Sequence, residues 1–434
     1  MGRLESLSMR NDQIASARVL IIQSQIKQYR VPFFDHLHQT LALDNISLRV
    51  AYSDPSRNEE KKGDNQDLPA SYGVKVKSFR FLREAIFYQP LLLEILAADM
   101  IVVEQASKHL LNYLLLLLSA LGAKKVAFWG HGRNCQRPGQ GLAEWLKNIT
   151  LNRVDWWFAY TDRTARYLIG QGVPLTKITS VQNSVDADAF RKECSAFSRA
   201  ELQKTRSQLG IDESAKVALF CAGITREKLP EFLIHSARQI RRELPNFELL
   251  VVGGGPEQGI IEAAARDSSF IHFVGPQFGR EKALYFRIAD AFLMPGPLGL
   301  AILDAFSAGL PVVTSTAPFH GPEIDYLEEG RNGLVTPLEI GAYTRAVVRL
   351  LSDAAMLREL KLGSLASGEK YTMENMVERF REGIVRCLSG PARVSNQIRS
   401  ARIAPTTVGQ ASRNPQTARE RDGKVREQQD DGDA

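Results

Sequence analysis

The sequence is poor in features that would assign it at a glance. Its 434 residues hold four cysteines, Cys135, Cys194, Cys221 and Cys387, and no two of them stand in a CxxC pair. That excludes a zinc ribbon, a thioredoxin-type site and a disulfide scaffold, and leaves the thiols as small buried hydrophobes. No apolar run reaches the ~20 residues that a membrane span requires. The longest, LLNYLLLLLSALG at 110–122, stops well short and is expected to be a helix buried on most sides. GGGPE at 253–257 lacks the GxGxxG spacing, with Pro256 and Gln258 in the wrong places, which excludes a dinucleotide loop. The excess of 55 basic over 49 acidic residues is +6. Such a balance suits acidic ligands or an anionic membrane surface and is too thin to argue for nucleic acid. A composition 44% hydrophobic and 24% charged excludes a wholly disordered chain or a collagen. Charges in MGRLESLSMRND stand where a secretory leader needs an apolar core, and the serine at the sixth position makes Gly2 a weak myristoylation match. The expectation is an intracellular protein.

What is present is alternation. ARVLIIQS (17–24), ISLRVAYS (46–53), DMIVVE (99–104), KKVAFWG (124–130), VDWWFAYT (154–161) and KITSVQNSVD (177–186) read as strands separated by helical patterns. Pro32 suits the first turn of a helix running through Leu37 and Leu41, and Thr161-Asp162 caps another. Residues 54–73 read as a mobile polar loop, and 142–152 as an amphipathic helix. After a charged stretch at 191–213, a second series follows: AKVALFCAG (215–223), FELLVVGGGPE (247–257), FIHFVG (270–275), AFLMPG (291–296), LPVVTS (310–315) and NGLVTP (332–337). A helix is expected over 227–243, and others over 339–352, 353–369 and 373–388. Repeated strand–helix–strand units predict parallel sheets with right-handed crossovers, here in two halves of similar size. In such sheets ligands sit at the carboxyl ends of the strands. The tail, 391–434, has no aromatic residue and no leucine, and is expected to be disordered.

Four segments carry chemistry: FCAGITREK (220–228), VVGGGPE (251–257), PGPLGLAILDAFSAGLPVVTS (295–315) and GPEIDYLEEGRNGL (321–334). In this order they resemble the nucleotide-sugar-dependent glycosyltransferases of family 4. The resemblance covers most of 17–388 and is strongest in the second half. It implies the GT-B fold, an α/β arrangement of two doubly wound Rossmann-like domains facing across a cleft. The expected division is an extension at 1–16, an acceptor-side domain at 17–190, a donor-nucleotide domain at 191–372, and a return of 373–388 to the first domain. It further implies transfer of a sugar from a nucleotide diphosphate sugar to a hydroxyl acceptor, with retention, in bacterial polysaccharide or glycolipid synthesis. No metal or other cofactor is expected. The partners expected are the nucleotide sugar, a glycan or lipid-linked acceptor and, peripherally, the inner membrane face.

Carried over residue by residue, the resemblance gives Lys228 a hold on the diphosphate, with Arg226 as a second charge. Gly223, Gly299 and Leu300 flank the donor, and a turn into a helix offers it free amides. Asp304, one helical turn beyond Leu300, is expected to accept from the ribose hydroxyls. Glu323 and His320 lie where the family has a loop near sugar and phosphate. In the first half, IKQYRVPFFDHL (26–37) sets Arg30 at the cleft, and WGHGRN (129–134) sets His131 and Arg133 at a strand end, His131 with a catalytic role and Arg133 toward an anionic acceptor. Asn183 and Ser184 stand in a hinge-like VQNSVD. Two departures matter. The family's first glutamate, separated by seven residues from its second, is Gly296 here, with Asp304 at the second position, and the Gly-Arg-Leu turn reads Ala222-Gly223-Ile224. A catalytically degenerate GT-B protein that binds nucleotide or a partner enzyme therefore stands as the alternative.

Overall fold

A computed structural model describes residues 16–56, 60, 64–82, 86–132 and 150–390. The extension, the tail, Arg133, Cys135 and most of the helix read at 142–152 lie outside them. Fifteen strands among these residues run β1 (Ala17–Ile22), β2 (Ile46–Tyr52), β3 (Gly73–Lys75), β4 (Phe79–Phe81), β5 (Ile86–Tyr88), β6 (Met100–Glu104), β7 (Lys125–Gly130), β8 (Trp156–Ala159), β9 (Ile178–Ser180), β10 (Lys216–Cys221), β11 (Phe247–Val252), β12 (Ile271–Gly275), β13 (Ala291–Met294), β14 (Val312–Ser315) and β15 (Gly333–Thr336). The continuous apolar runs become central strands because both sheet faces are covered by helices.

The first sheet is parallel, in the order β3-β2-β1-β6-β7-β8-β9, and the second is parallel, in the order β12-β11-β10-β13-β14-β15. Strand order reverses between β1 and β6 in one lobe and between β10 and β13 in the other. Connections leaving on opposite faces open a crevice at each reversal, beyond the strands' carboxyl ends. Apolar side chains form a core on each face of the first sheet and a larger one around the second.

The last helix, Met373–Ser389, packs on the first lobe. Phe380 is fully buried, stacked 4.4 Å from Phe158 and edge-on to Phe33 and Trp129 at 5.1 and 4.8 Å. Gly383 is required there, since a Cβ would meet the Phe158 ring at 2.5 Å. Lys125 of β7 donates to the carbonyls of Cys387, Leu388 and Gly390, neutralising that helix's exposed C-terminal oxygens.

Two local expectations change. The leucine-rich helix, Leu110–Ala120, is buried along one face only: Leu110, Leu114, Leu117 and Leu121 are 42–63% exposed, at helical spacing. Length and hydropathy alone did not reveal which neighbours would cover it. Within 54–73, Leu68 and Tyr72 are core residues, Tyr72 donating to Asp35 at 2.6 Å and lying against the His38 ring. No described helix is long and apolar enough to cross a membrane.

Because the returning helix completes the first core, Phe380→Ala should destabilise that lobe by about 3–5 kcal/mol. Urea unfolding followed by first-lobe tryptophan fluorescence (Trp129, Trp156, Trp157) measures it; an unchanged midpoint would refute the role.

Candidate functional site

At the second lobe's reversal, β10 leads through Ala222 and Gly223 into a 3-10 turn, Arg226–Lys228. Leu229 then adopts a left-handed conformation (φ 56°), and the helix Pro230–Glu243 begins with proline in its first turn. Lys228 thus ends a separate turn rather than opening the helix expected at 227. The left-handed residue turns it back under the crevice. Its half-buried ammonium donates to the Pro297 carbonyl. Burial pulls its pKa below the ordinary lysine value, against the opposing pull of Glu227. Arg226 and Gly223 are exposed nearby in sequence.

Gly296 follows β13 beneath this turn. A Cβ there would meet the Glu227 carbonyl at 2.5 Å and the Lys228 Cα at 2.7 Å. The room that the family's first glutamate would need is filled by backbone. Gly299, by contrast, faces open space. Leu300 precedes the short helix Ala301–Ser307, in whose first turn the Ile302 and Leu303 amides donate back to the Gly299 and Leu300 carbonyls at 3.1 and 3.0 Å. His320 fastens the turn: its Nδ1 accepts from the Leu298 amide at 2.9 Å while Nε2 donates to the Ser315 carbonyl, also at 2.9 Å. Both contacts suit a neutral ring, and burial lowers its pKa. The glycine turn after β11 is zipped to the strand-end loop. Ile224 donates to Gly254 and Glu257 to Ile224, and a Cβ on Gly253 would lie 1.9 Å from the Ala222 carbonyl.

Asp304 sits one turn along, but its carboxylate accepts from Lys282 at 2.6 Å. That ammonium also lies over the Phe190 ring, 4.9 Å from its centroid. The expected ribose ligand is therefore already ion-paired. Lys282 gave no signal in the sequence, since it comes from another helix, Gly279–Ile288.

The lobes are joined by buried polar groups. Arg30 ends a 3-10 turn, Gln28–Arg30, after β1 and is 7% exposed; its guanidinium donates to Asn183 Oδ1 and stacks over Trp129 at 5.0 Å. Asn183 Nδ2 donates to Glu323 Oε1 at 2.6 Å, and the Tyr326 hydroxyl donates to the Asn183 carbonyl at 2.9 Å. Thr161 of the first lobe donates to Asp325 at 2.6 Å. Burial raises the pKa of Glu323, opposed by the Asn183 hydrogen bond and the nearby Arg30. Glu323 is thus engaged by the hinge, and Arg30 contacts it through Asn183. The asparagine looked like an ordinary turn residue; only the packing of three distant segments gives it this place.

At the first lobe's strand ends, His131 stands after β7, half-buried, with its ring edge-on to Tyr160 at 4.2 Å. Burial raises Tyr160's pKa. Arg133 lies outside the described residues. Glu104 ends β6 at the reversal and was not singled out in the sequence. Among the described residues no three His, Cys, Asp or Glu side chains converge to hold a metal ion.

Residues 215–353 match the sequence model of the family described as Glycosyl transferases group 1. Among curated proteins, the chain is 25% identical over 164 residues to the alpha-monoglucosyldiacylglycerol synthase of Acholeplasma laidlawii, covering 36% of this chain and 40% of that one. It is 29% identical over 194 residues to a GDP-mannose-dependent alpha-(1-6)-phosphatidylinositol monomannoside mannosyltransferase of Mycobacterium tuberculosis, covering 42% and 48%. The matched region spans about half the length of these relatives, or less. Among solved structures, HepE of Anabaena, crystallised with UDP, superposes with a TM-score of 0.62 at 15% identity, covering 85% of this chain and 99% of that one. A glycosyltransferase of Rickettsia africae gives 0.63 at 11%, covering 87% and 100%. Fold and sequence agree: the chain is a two-lobed α/β protein of the GT-B type whose later lobe is related to the group 1 glycosyl transferases.

Proposed function

We propose that the chain transfers a sugar from a nucleotide diphosphate sugar to a hydroxyl acceptor with retention, in the synthesis of a bacterial polysaccharide or glycolipid. The observation that carries this reading is Lys228, a half-buried cation at the strand-order reversal of the later lobe, with its ammonium held against Pro297. A diphosphate leaving group gathers negative charge as the glycosidic bond breaks. A desolvated ammonium already aimed at it stabilises that charge with little reorganisation. Arg226 supplies a second cation, and Gly223, Gly299 and Leu300 leave the backbone open to the phosphates. The scheme calls for no divalent metal, because the lysine and the arginine meet the charge. Asp304 reaches the ribose by exchanging part of its bond to Lys282. His131 orients the acceptor from the opposite lobe, with Arg133 beside it in sequence. Relatives named for diacylglycerol and phosphatidylinositol substrates, together with the exposed leucines of Leu110–Ala120, support a lipid-linked acceptor and peripheral contact with the inner membrane face. Gly296 favours a second reading, a nucleotide-binding protein without turnover, because backbone fills the room of the missing glutamate.

A thermal-shift and turnover screen against nucleotide diphosphate sugars separates the two: stabilisation with turnover supports the first, stabilisation alone the second, and no response removes both. Lys228→Ala should lower turnover at least about tenfold, some 1.4 kcal/mol of transition-state stabilisation, with the melting temperature kept. Since burial holds this lysine below its usual 10.5, it discharges early as pH rises. Wild-type turnover should therefore fall on the alkaline side before an exposed lysine would titrate, and the residual rate of the variant should lack that fall. His131→Ala should impair transfer more than nucleotide binding; unchanged transfer returns it to a structural role. Gly296→Ala should cost about 1–3 kcal/mol of stability by overpacking and displace the lysine turn, weakening nucleotide protection, whereas Gly299→Ala, facing open space, should keep the melting temperature of the free protein and weaken nucleotide protection only.

A further inference from the structure

One loop of the later lobe holds a conformation that its sequence does not favour. β14 ends at Ser315, and the chain then runs through a turn whose central residues are Pro318 and Phe319. A turn with proline at its first central place and a left-handed residue at its second is built for glycine at the second. Here that residue is phenylalanine, at φ 68°. A bulky L-residue is strained in this region, because its Cβ crowds the carbonyl that follows. Burial does not offset the strain: Phe319 is 54% exposed, and Pro318 beside it is exposed too. Glycine would serve the turn better, and the folded chain gains little from the ring.

The loop is tied down on both sides of that ring to the segment beside the lysine. Before it, Ser315 Oγ donates to the Pro295 carbonyl at 2.5 Å and accepts from the Ala317 amide at 3.1 Å. After it, His320 Nδ1 accepts from the Leu298 amide at 2.9 Å, and the Gly321 amide donates to the Leu298 carbonyl at 2.7 Å. Pro297, next in the chain to Leu298, carries the carbonyl that receives the Lys228 ammonium. Phe319 therefore stands one residue from the group that grips this turn. Within the turn, Gly299 faces open space, whereas Gly296 has no room for a side chain that could hydrogen-bond a ligand. Strain gathers around the same place. Of the five described non-glycine residues with positive φ, Gln182, Leu229 and Phe319 adjoin Asn183, Lys228 and His320. Such conformations persist where the surrounding structure imposes them, and they cluster at ligand sites.

We infer that Phe319 is a platform for the transferred sugar, its ring lying against the C–H face of the donor's pyranose beside the diphosphate on Lys228. The assignment rests on the donor reading above and names the group that selects the sugar within it. A pyranose is apolar on its faces and polar at its rim. The electron-rich face of a phenyl ring attracts polarised C–H groups and repels hydroxyl oxygens. With side-chain hydrogen bonding excluded at 296, recognition of the sugar shifts from its hydroxyls toward its shape. The platform suits a sugar whose stacked face carries hydrogens only.

The test is isothermal titration calorimetry of the full chain with UDP-glucose, UDP-galactose and GDP-mannose, and with UDP and GDP as references. The sugar's contribution is the ratio of each nucleotide-sugar Kd to the Kd of its own nucleotide diphosphate. Phe319→Leu, which keeps the bulk and removes the ring, should raise that ratio about fivefold for at least one donor, the size of one ring contact, while UDP and GDP affinities stay unchanged. Phe319→Gly should do the same while the melting temperature holds or rises, because the strain is relieved. Phe319→Tyr keeps the ring and should keep the ratio. A lower melting temperature for Phe319→Gly would make the ring part of the packing and overturn the proposal. An unchanged ratio in variants that still bind UDP or GDP overturns it too, and leaves the donor reading standing. A wild type that binds neither nucleotides nor nucleotide sugars removes the donor reading, and this assignment with it.

Discussion

Arg30, Asn183 and Glu323 come from the first lobe, the hinge and the second lobe, and they hydrogen-bond in series within a region closed to water. Burying such groups is costly unless each is satisfied, and removing one leaves its neighbour stranded at a cost of several kcal/mol. The series is therefore a geometric constraint more than a source of net stability: it is satisfied only when the two lobes stand in this relation. Tyr326 and the Thr161–Asp325 bond reinforce it from either side. His131 at the strand ends of the first lobe and the turn at 296–299 in the second take their relative position from that closure.

The turn itself is arranged around a close backbone approach. The Glu227–Lys228 backbone presses on Gly296, and His320 pins Leu298 from the far side. Seen from the sequence, Gly296 is a glutamate missing from a pattern. Seen in the fold, it is a position where no side chain fits, and the space has gone to the segment that carries the lysine. The loss of one polar contact and the placement of the cation are thus a single structural change. Asp304 tells a related story, since a carboxylate read as free to meet a ligand is partnered by a lysine from a neighbouring helix.

The fold class was legible because parallel strands covered on both faces leave a plain trace, such as MIVVE in β6 or FELLVV in β11, and because turns such as Gly253–Gly255 punctuate them. The exposed stripe of Leu110–Ala120 was not legible, because a run of leucines looks the same whether its far side meets protein or solvent. Leu68 and Tyr72 were hidden for the converse reason: polar, Pro- and Gly-bearing surroundings masked two side chains that reach the core.

Local covalent order, periodicity and turn chemistry are properties of neighbouring residues, and they alone determined two series of strand–helix units, the Lys228 segment and the glycine turns. Which strands reverse order beside one another, which carboxylates are paired, and which side chain a glycine excludes depend on groups brought together from distant parts of the chain. Those the tertiary structure decided, because burial and Coulomb energies act through space and not along the sequence.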